Sequence, residues 1–233
     1  MKIKGFQKVT LIDYPDTIAC TIFLFGCNFR CGFCHNPELI FEDEGKEFSE
    51  AEILNYLEKR KKYLEGVCIT GGEPFVSLEF GFLQKIKELG YKIKIDTNGS
   101  FPERLEKAIA EGLVDFVAMD IKASKENYQK VMNAGVNLEN IEKSIKLIAR
   151  LDNYEFRTTI VEGMHDAEEI EKMGKWLNEI VGRKPKKFCL QGFQNQGKLL
   201  DEAFRMKKNT SEEFLNKLKE VAENYFEEVE VRV

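Results

Sequence analysis

The sequence predicts an α/β fold in which parallel strands curl into a partial, TIM-like (β/α)6 barrel, within a single domain that spans residues 1–233. Apolar, strand-like runs alternate about six times with amphipathic helical segments. No Gly/Ser-rich linker or change in composition divides the chain. The most distinctive polar motifs directly follow predicted strands, where barrels of this class bind their ligands. A doubly wound flat sheet is the alternative fold.

Hydrophobic periodicity and helix start and stop signals define each β/α unit. Strands are predicted over residues 3–11, 18–25, 66–70, 91–97, 114–121, 154–161, 187–193 and 229–233, and the first and last of them are short additions to the barrel. Helices are predicted over residues 49–64, 78–89, 102–111, 138–151, 167–181 and 210–225. Capping boxes that begin at Ser49, Asp166 and Thr210 mark three helix starts, and Gly90 ends the second helix.

Composition places the chain among folded globular proteins and argues against two classes of partner. With 233 residues and 43% hydrophobic content, the chain can bury a sizeable core. The net charge is -5 and both signs are interleaved, which argues against a nucleic-acid groove. The N-terminus lacks an uninterrupted apolar region, and the longest apolar run is far too short to span a membrane. We therefore expect a cytoplasmic protein with no membrane contact.

Three cysteines follow the second predicted strand in the sequence CNFRCGFC, residues 27–34. Thiolates are the usual ligands of a cubic 4Fe-4S cluster, so Cys27, Cys31 and Cys34 can hold three irons and leave the fourth iron open for a substrate. A structural zinc knuckle completed by His35 is a weaker alternative, because neighbouring residues of an extended chain point in opposite directions. A disulfide with one remaining thiol is the third alternative.

The third predicted strand runs directly into Gly71-Gly72-Glu73-Pro74. Glycines let the backbone approach a ligand closely, and the Glu73 carboxylate can accept hydrogen bonds from an ammonium group. Alone, this motif describes only a turn. Together with the cysteine triplet it resembles the radical S-adenosylmethionine (radical SAM) superfamily, whose two motifs are CxxxCxxC and GGE.

Polar residues also end the next two predicted strands, with the sequences DTNG at residues 96–99 and DIK at residues 120–122. The sequences CHNP at residues 34–37 and IVEG at residues 160–163 complete a pattern that resembles the glycyl-radical-enzyme activases. The N-terminal sequences GFQK and LIDYP are similar to the subgroup that activates anaerobic ribonucleotide reductase. The similarity runs from about Gly5 to Phe193.

The resemblance implies a site for a 4Fe-4S cluster and S-adenosylmethionine. The implied ligands of the cluster are Cys27, Cys31 and Cys34. The implied contacts of S-adenosylmethionine are Phe33 and His35 at the adenine, Gly71, Gly72 and Glu73 with the adjacent Pro74 at the methionyl amino group, and Asp120 and Lys122 at the methionyl carboxylate and ribose. The residues that match a monovalent cation site of the formate-lyase activase are Asp96, Thr97 and Asp120.

Two further residues are predicted to lie at the cofactor site. Arg157 is in the middle of a predicted strand, where an arginine is unfavourable unless it reaches an acid or a ligand. The last barrel strand has Gln191, followed by Gln194, where the formate-lyase activase offers a histidine to the cofactor. Because of this departure from the family pattern, either Gln191 or Gln194 is predicted to be the substitute contact.

Several other residues are expected to have no role in the chemistry. Cys20, Cys68 and Cys189 each lie singly within a predicted strand, and buried thiols are the usual state of such cysteines. His165 has no partner at ligand spacing and is predicted to be an exposed loop residue. Trp176 lies on the apolar stripe of its helix and is predicted to be in the core.

The resemblance implies a radical SAM oxidoreductase of the activase type. It would cleave S-adenosylmethionine reductively and abstract hydrogen from a glycine of a partner enzyme, with anaerobic ribonucleotide reductase as the implied partner and a flavodoxin or ferredoxin-type electron donor. No side chain is expected to act as a general acid or base. The segment 194–208 is either a docking surface or a solvated loop. The alternatives are a small-molecule radical SAM enzyme similar to the 7-carboxy-7-deazaguanine synthases and a zinc-stabilised binding module.

Overall fold

The computed structural model describes residues 1–41 and 45–233. Its strands are β1 (Ile3–Thr10), β2 (Ala19–Leu24), β3 (Gly66–Gly71), β4 (Lys92–Thr97), β5 (Phe116–Asp120), β6 (Tyr154–Ile160), β7 (Lys187–Gly192) and β8 (Glu228–Arg232). Its α-helices are α1 (Glu38–Phe41), α2 (Glu50–Arg60), α3 (Phe80–Glu88), α4 (Pro102–Ala110), α5 (Tyr128–Met132), α6 (Leu138–Ile148), α7 (Ala167–Val181) and α8 (Glu212–Ala222). Two short 3-10 helices cover Pro74–Val76 and Glu202–Met206.

Hydrogen bonding orders the strands of the sheet as they occur in the chain, from β1 to β8. β1 pairs with β2 in antiparallel orientation, whereas β2, β3 and β4 are parallel to one another, as are β6, β7 and β8. The predicted α/β fold class is therefore confirmed, and both terminal strands are present. A mostly parallel eight-stranded sheet is consistent with a partial TIM-like barrel.

The chain forms two compact units. Unit 1 comprises residues 1–28, 36–97 and 103–117, and unit 2 comprises residues 29–35, 98–102 and 118–233. The strands β1 to β4 thus belong to unit 1, the strands β6 to β8 belong to unit 2, and β5 passes from one unit to the other. The single domain over residues 1–233 stays a prediction.

The core of unit 1 consists of continuous apolar strands and the buried faces of α2, α3 and α4. β2 and β3 are buried over most of their length, as expected for parallel strands that are covered on both faces. The predicted capping box at the start of α2 is present: Ser49 Oγ accepts from Glu52 N at 3.2 Å, and Ser49 N donates to Glu52 Oε2 at 2.7 Å. Ile53 and Leu57 on this helix are buried in the core.

Aromatic contacts contribute to the core of unit 2. The rings of Phe188 and Phe226 stack with their centroids 4.2 Å apart. Trp176 is buried as predicted; it packs edge-on against Tyr128 at 5.8 Å and donates its indole N–H to Glu142 Oε1 at 2.9 Å. Among the helices of the described residues, none combines the length and the apolar character that crossing a membrane requires.

The last helix begins one residue later than the sequence predicts. Ser211 is its N-cap and accepts a hydrogen bond from Phe214 N at 3.2 Å. The hydroxyl of Thr210, the predicted cap, instead donates to the Ile160 carbonyl at 2.6 Å. A buried tertiary hydrogen bond has therefore taken the side chain that the local sequence pattern assigns to the cap.

The predicted capping box of α7 is only half formed. Asp166 caps the helix and accepts from Glu169 N at 2.8 Å. The Glu169 carboxylate, however, accepts from Ser124 N at 2.6 Å and from Asn127 Nδ2 at 2.7 Å. Glu169 thereby ties α7 to the residues after β5.

Candidate functional site

The glycine pair at the end of β3, Gly71 and Gly72, packs against the end of β2 and the residues just after it, within unit 1. Gly72 N donates to the Leu24 carbonyl at 3.0 Å, and Glu73 N donates to the Gly26 carbonyl at 2.7 Å. A Cβ atom on Gly71 would lie 2.3 Å from the Leu24 carbonyl oxygen, and one on Gly72 would lie 2.1 Å from the Gly26 carbonyl oxygen. Only glycine fits at these positions, so the close backbone contact explains the glycine pair.

The same contact brings the first cysteine of the triplet next to the glycine pair. A Cβ atom on Gly72 would lie 3.1 Å from the Cβ atom of Cys27. Gly26, just before this cysteine, has φ of 102° and donates its N–H to the Leu39 carbonyl at 2.8 Å. A left-handed backbone at the strand exit turns the chain there, which suits glycine.

Glu73 holds a buried carboxylate between the ends of β3 and β4. Its side chain is 0% exposed and forms the N-cap of the 3-10 helix Pro74–Val76. The Oε1 atom accepts from Phe75 N at 3.1 Å and from the Thr97 hydroxyl at 2.9 Å. Both donors belong to unit 1, so the carboxylate keeps a fixed orientation before any ligand binds.

Asp96, a predicted contact of the site, has a cationic partner on its own strand. Its carboxylate is paired with the ammonium of Lys94, a buried residue whose Nζ also lies 3.9 Å from Cys68 Sγ. Residues 94 and 96 share one face of β4 because side chains of a strand alternate between its faces.

Asp120, Lys122 and Arg157 form a compact ionic cluster in unit 2. Asp120 Oδ2 lies 2.8 Å from Lys122 Nζ, and its Oδ1 accepts from Arg157 Nε at 3.0 Å. Burial disfavours the ionised form of Asp120, but the two cations outweigh burial and lower the pKa of its carboxyl group. Burial likewise disfavours the charged form of Lys122. The attraction of Asp120 outweighs this effect of burial, so the pKa of the ammonium is raised. The cluster therefore carries one negative and two positive charges.

Two further charged residues, Glu155 and Arg232, extend this cluster, and neither was predicted from the sequence. Glu155 is fully buried and lies 3.9 Å from Arg157 Nη1. Its carboxylate accepts two hydrogen bonds from Arg232, at 3.1 and 2.8 Å. The signal available in the sequence was a buried strand with charges at alternate positions, residues 155 and 157.

Gln191 lies on the same face of the sheet as Arg157. Its strand β7 pairs with β6 so that Cys189 is opposite Arg157, and Thr159 is opposite Gln191. Side chains two residues apart on a strand point to the same face. The structure thus brings Asp120 and Arg157 into contact and leaves Gln191 further along the same face.

The second and third cysteines of the triplet lie in unit 2, in a loop that is partly buried. Cys34 N donates to the Cys31 carbonyl at 3.0 Å, and Cys31 Sγ lies 3.5 Å from Met132 Sδ. Burial raises the pKa of the Cys31 thiol to about 11, against the opposing effect of Lys122. The thiol therefore keeps its proton at neutral pH, and a metal ion that binds there must displace it.

The segment 194–208 packs against this cysteine loop. Leu200 N donates to the Cys34 carbonyl at 3.1 Å, and Asp201 N donates to the Gly32 carbonyl at 3.0 Å. These two backbone hydrogen bonds order the loop from one side. The middle of the segment is thus in contact with other residues of unit 2. Neither predicted role, a docking surface or a solvated loop, included this contact.

Aromatic rings surround the predicted adenine contacts. The ring of Phe204 lies 6.0 Å from that of Phe33 and 6.1 Å from that of Phe193, and the His35 ring lies 5.8 Å from Phe193. A Cβ atom on Gly32 would lie 2.5 Å from Phe204. Burial lowers the pKa of His35, so its ring is neutral at pH 7.

The position of His165 differs from the sequence-based prediction. It was predicted to be exposed, but its side chain is 0% exposed. Its Nδ1 accepts from Val161 N at 3.1 Å, and its Nε2 lies 2.9 Å from the Lys122 carbonyl oxygen. The prediction was wrong because the partner of the ring is 43 residues away along the chain and becomes its neighbour only on folding.

The cysteines fit the chemistry of an iron–sulfur cluster. All six are thiols rather than disulfides, and Cys20, Cys68 and Cys189 are buried in strands as predicted. Within residues 1–41 and 45–233, no three His, Cys, Asp or Glu side chains already form a metal-binding group. The support for a cluster therefore comes from the spacing and the thiol chemistry of the triplet.

Comparison with known proteins agrees with these motifs. The model of the radical SAM superfamily matches residues 21–177. A protein of Methanocaldococcus jannaschii that is provisionally named a glycyl-radical enzyme activating enzyme is 30% identical over 99% of this chain and 95% of its own length. The pyruvate formate-lyase-activating enzyme of Clostridium pasteurianum is 27% identical over 77% of this chain and 98% of its own length.

A solved structure shares the fold over most of the chain. Streptococcus suis SuiB, bound to its precursor peptide SuiA, covers 91% of this chain with a TM-score of 0.67 and 17% sequence identity. The chain spans 48% of the length of that protein, so the likeness concerns one part of it. The family model and the full-length relative together show that the chain belongs to the radical SAM superfamily, within its branch of glycyl-radical enzyme activating enzymes.

Proposed function

We propose that this chain binds a 4Fe-4S cluster through Cys27, Cys31 and Cys34, binds S-adenosylmethionine at the open iron, and activates a glycyl-radical enzyme. The observation that carries the proposal is the position of Glu73, a buried carboxylate next to the glycine that packs against Cys27. A fixed carboxylate beside the first cluster cysteine can receive the methionyl amino group of the cofactor.

The ionic cluster of unit 2 supplies the complementary charge. Lys122 is proposed to bind the methionyl carboxylate. Asp120 holds the Lys122 ammonium in place, and Arg157 in turn holds Asp120. The excess positive charge of this cluster favours an anionic group. Phe33 and His35 would flank the adenine, and the neutral state of His35 suits a stacking role. Gly71 and Pro74 are proposed to complete the contacts of the amino group. Gln191, on β7, is proposed as a further contact of the cofactor.

The protein's own contribution is binding, orientation and the exclusion of water. When bound, the cluster and the cofactor supply one-electron cleavage of a carbon–sulfur bond and the removal of a hydrogen atom from the target. Phe204 and Phe193 pack with Phe33 next to the cysteine loop and keep solvent away from it. No general acid or base is required of any side chain.

The partner is proposed to be an anaerobic ribonucleotide reductase, because the sequences GFQK and LIDYP are similar to that activase subgroup. A flavodoxin or ferredoxin-type protein would supply the electron. Six thiols that form no disulfide suit a reducing compartment, so we place the protein in the cytoplasm. A monovalent cation at Asp96, Thr97 and Asp120 stays a prediction, since Lys94 and Arg157 already supply positive charge to two of these residues.

Iron content after anaerobic reconstitution tests the cluster ligands. Serine at any one of Cys27, Cys31 and Cys34 removes a ligand, so each variant should lose most of the roughly four irons expected for one cluster. The matched controls are serine variants of Cys20, Cys68 and Cys189, which should keep the iron. Stoichiometric zinc without iron in the wild type would contradict the proposal.

Titration with S-adenosylmethionine tests the cofactor contacts. Glu73→Ala and Lys122→Ala each remove a charged partner and should weaken binding about tenfold or more while the cluster is retained. Lys125→Ala is a control from the same stretch of chain, since Lys125 is half exposed and paired with Glu142 on the surface. Unchanged affinity in both test variants would show that the methionyl end of the cofactor binds elsewhere.

A further inference from the structure

His165 lies in the turn that follows β6, in the interior of unit 2. Met164 N and His165 N both donate to the Val161 carbonyl at 3.0 Å, which closes the turn. The imidazole ring folds back over this turn, and Val161 N donates to its Nδ1 at 3.1 Å. The ring is therefore fixed at one of its nitrogens by the turn itself.

The partners of the ring determine its tautomer. A backbone N–H can only donate, so Nδ1 of His165 carries no proton. The proton of the neutral ring is then on Nε2, which donates to the Lys122 carbonyl oxygen at 2.9 Å. Burial lowers the pKa of this histidine, so the neutral form persists at pH 7. The ring thus links the exit of β6 to the residue two positions beyond β5.

The contact to Lys122 continues a series of hydrogen bonds between these two segments. Ile121 N donates to the Arg157 carbonyl at 2.7 Å, and the Ile121 carbonyl accepts from the Thr158 hydroxyl at 2.6 Å. The next carbonyl along the chain, that of Lys122, is held by the His165 side chain. Since the peptide group after residue 122 cannot rotate without losing this bond, the bond also limits the direction of the Lys122 side chain.

We propose that His165 is a positioning residue, which holds the Lys122 backbone so that the ammonium stays on Asp120 and faces the carboxylate of S-adenosylmethionine. The inference rests on the proposed role of Lys122. It assigns to the turn after β6 a function in cofactor binding, through a side chain that hydrogen-bonds to two backbone groups.

Two substitutions test the hydrogen bonds of Nδ1 and Nε2 separately. In His165→Asn the amide oxygen takes the place of Nδ1 and can accept from Val161 N, but no atom reaches the Lys122 carbonyl. In His165→Gln the longer side chain brings an amide N–H near the position of Nε2, so the donor to Lys122 is kept. A purely structural role of the histidine in its turn predicts that Asn is tolerated at least as well as Gln.

S-adenosylmethionine affinity of the reconstituted full chain is measured by calorimetry for both variants. His165→Asn should weaken binding about three- to tenfold, the effect of one lost hydrogen bond, and His165→Gln should stay within about twofold of the wild type. In the background of Lys122→Ala the effect of His165→Asn should disappear, because the lysine that the ring positions is gone. Wild-type affinity of His165→Asn, or an undiminished effect in the double variant, overturns the proposal.

Hydrogen exchange of the ligand-free protein tests the contact between His165 and Lys122 without the cofactor. Its result therefore does not depend on whether Lys122 binds S-adenosylmethionine. Exchange in the peptide that covers residues 121–124 should be faster in His165→Asn than in the wild type and in His165→Gln. If exchange responds in this way but Lys122→Ala binds the cofactor normally, the proposed role of Lys122 fails while the contact holds. Unchanged exchange in His165→Asn refutes the positioning role whatever the affinity.

Discussion

Asp120 and Arg157 are joined by a hydrogen bond of 3.0 Å between Oδ1 and Nε, in a region where their side chains are 25% and 12% exposed. The bond connects the end of β5 to the middle of β6. It leaves the second oxygen of the carboxylate to Lys122. The pair therefore supports the residue that we propose to bind the cofactor.

Arg157→Ala should lower the free energy of unfolding by about 1–3 kcal/mol, because it leaves a half-buried carboxylate with one cation instead of two. Urea denaturation at pH 7 measures this difference. Lys217→Ala is the control, since its pair with Glu213 is exposed and should contribute less than about 1 kcal/mol. Equal effects of the two substitutions would contradict the importance of the buried pair.

The effect of Arg157→Ala should also depend on pH. The pKa of Asp120 is lowered in the folded protein, so its stabilising contribution is fully present above the ordinary pKa near 3.8 and is lost as pH falls below that value. The stability difference between wild type and variant should therefore be constant from about pH 7 to pH 5 and shrink below about pH 4. A difference that grows on acidification would show that the sign of the shift is wrong.

Gly72→Ala should disrupt the site, since the added Cβ would lie 2.1 Å from the Gly26 carbonyl oxygen. The backbone next to Cys27 must then move, and we expect a lower melting temperature together with poor iron incorporation. Gly81→Ala is a matched control in the first turn of α3, where nothing lies within 4 Å of the added atom. The control should be neutral or stabilising by up to about 1 kcal/mol. Normal iron content in Gly72→Ala would argue against the close contact.

Thr97→Val should destabilise the protein by about 1.5–3 kcal/mol, because it removes the hydroxyl that donates to the buried Glu73 carboxylate at 2.9 Å. The shape of the side chain is almost unchanged, so packing is kept. Thr97→Ser keeps the hydroxyl and loses only a methyl group, which makes it the control. If chemical denaturation finds the serine variant less stable than the valine variant, the hydrogen bond matters less than the methyl contact.

The buried neutral ring of His165 should make stability fall on mild acidification. Its pKa is lowered in the folded protein, so its contribution is complete above the unfolded pKa near 6.5 and is lost as pH falls below that value. The nearby charges are those of Lys122, which lowers the pKa further, and of Glu169, which raises it. Between pH 7.5 and pH 5.5 the wild type should lose about 1 kcal/mol more than His165→Gln. Parallel stability curves would contradict the assignment.

Local sequence patterns predicted most of the fold, because strands and helices depend on periodicity within a few residues. The capping box at Ser49 was predicted correctly since both of its partners are local. Thr210 failed as a cap because its hydroxyl bonds to Ile160, 50 residues away. His165 was placed on the surface for the same reason, since Lys122 becomes its neighbour only through the pairing of two strands.

Most residues of the candidate site could be predicted from the sequence, but the contacts between them could not. Motifs at strand ends pointed to Glu73 and Asp120, and the lone arginine in a strand pointed to Arg157. The buried partner Glu155 and the packing of segment 194–208 on the cysteine loop depend on pairings distant in sequence. Those contacts follow from the order of the strands, which periodicity alone does not determine.

The central claim is that this chain generates a glycyl radical in a partner enzyme. The most direct measurement is electron paramagnetic resonance of the anaerobically reduced, cluster-loaded protein with S-adenosylmethionine, with and without an anaerobic ribonucleotide reductase from the same organism. We predict a glycine-centred doublet only when the reductase is present, and a weaker doublet in Lys122→Ala when S-adenosylmethionine is below saturation. If no doublet forms, and a pterin-like small molecule instead triggers rapid release of 5′-deoxyadenosine, the chain is a small-molecule radical SAM enzyme and the account is contradicted.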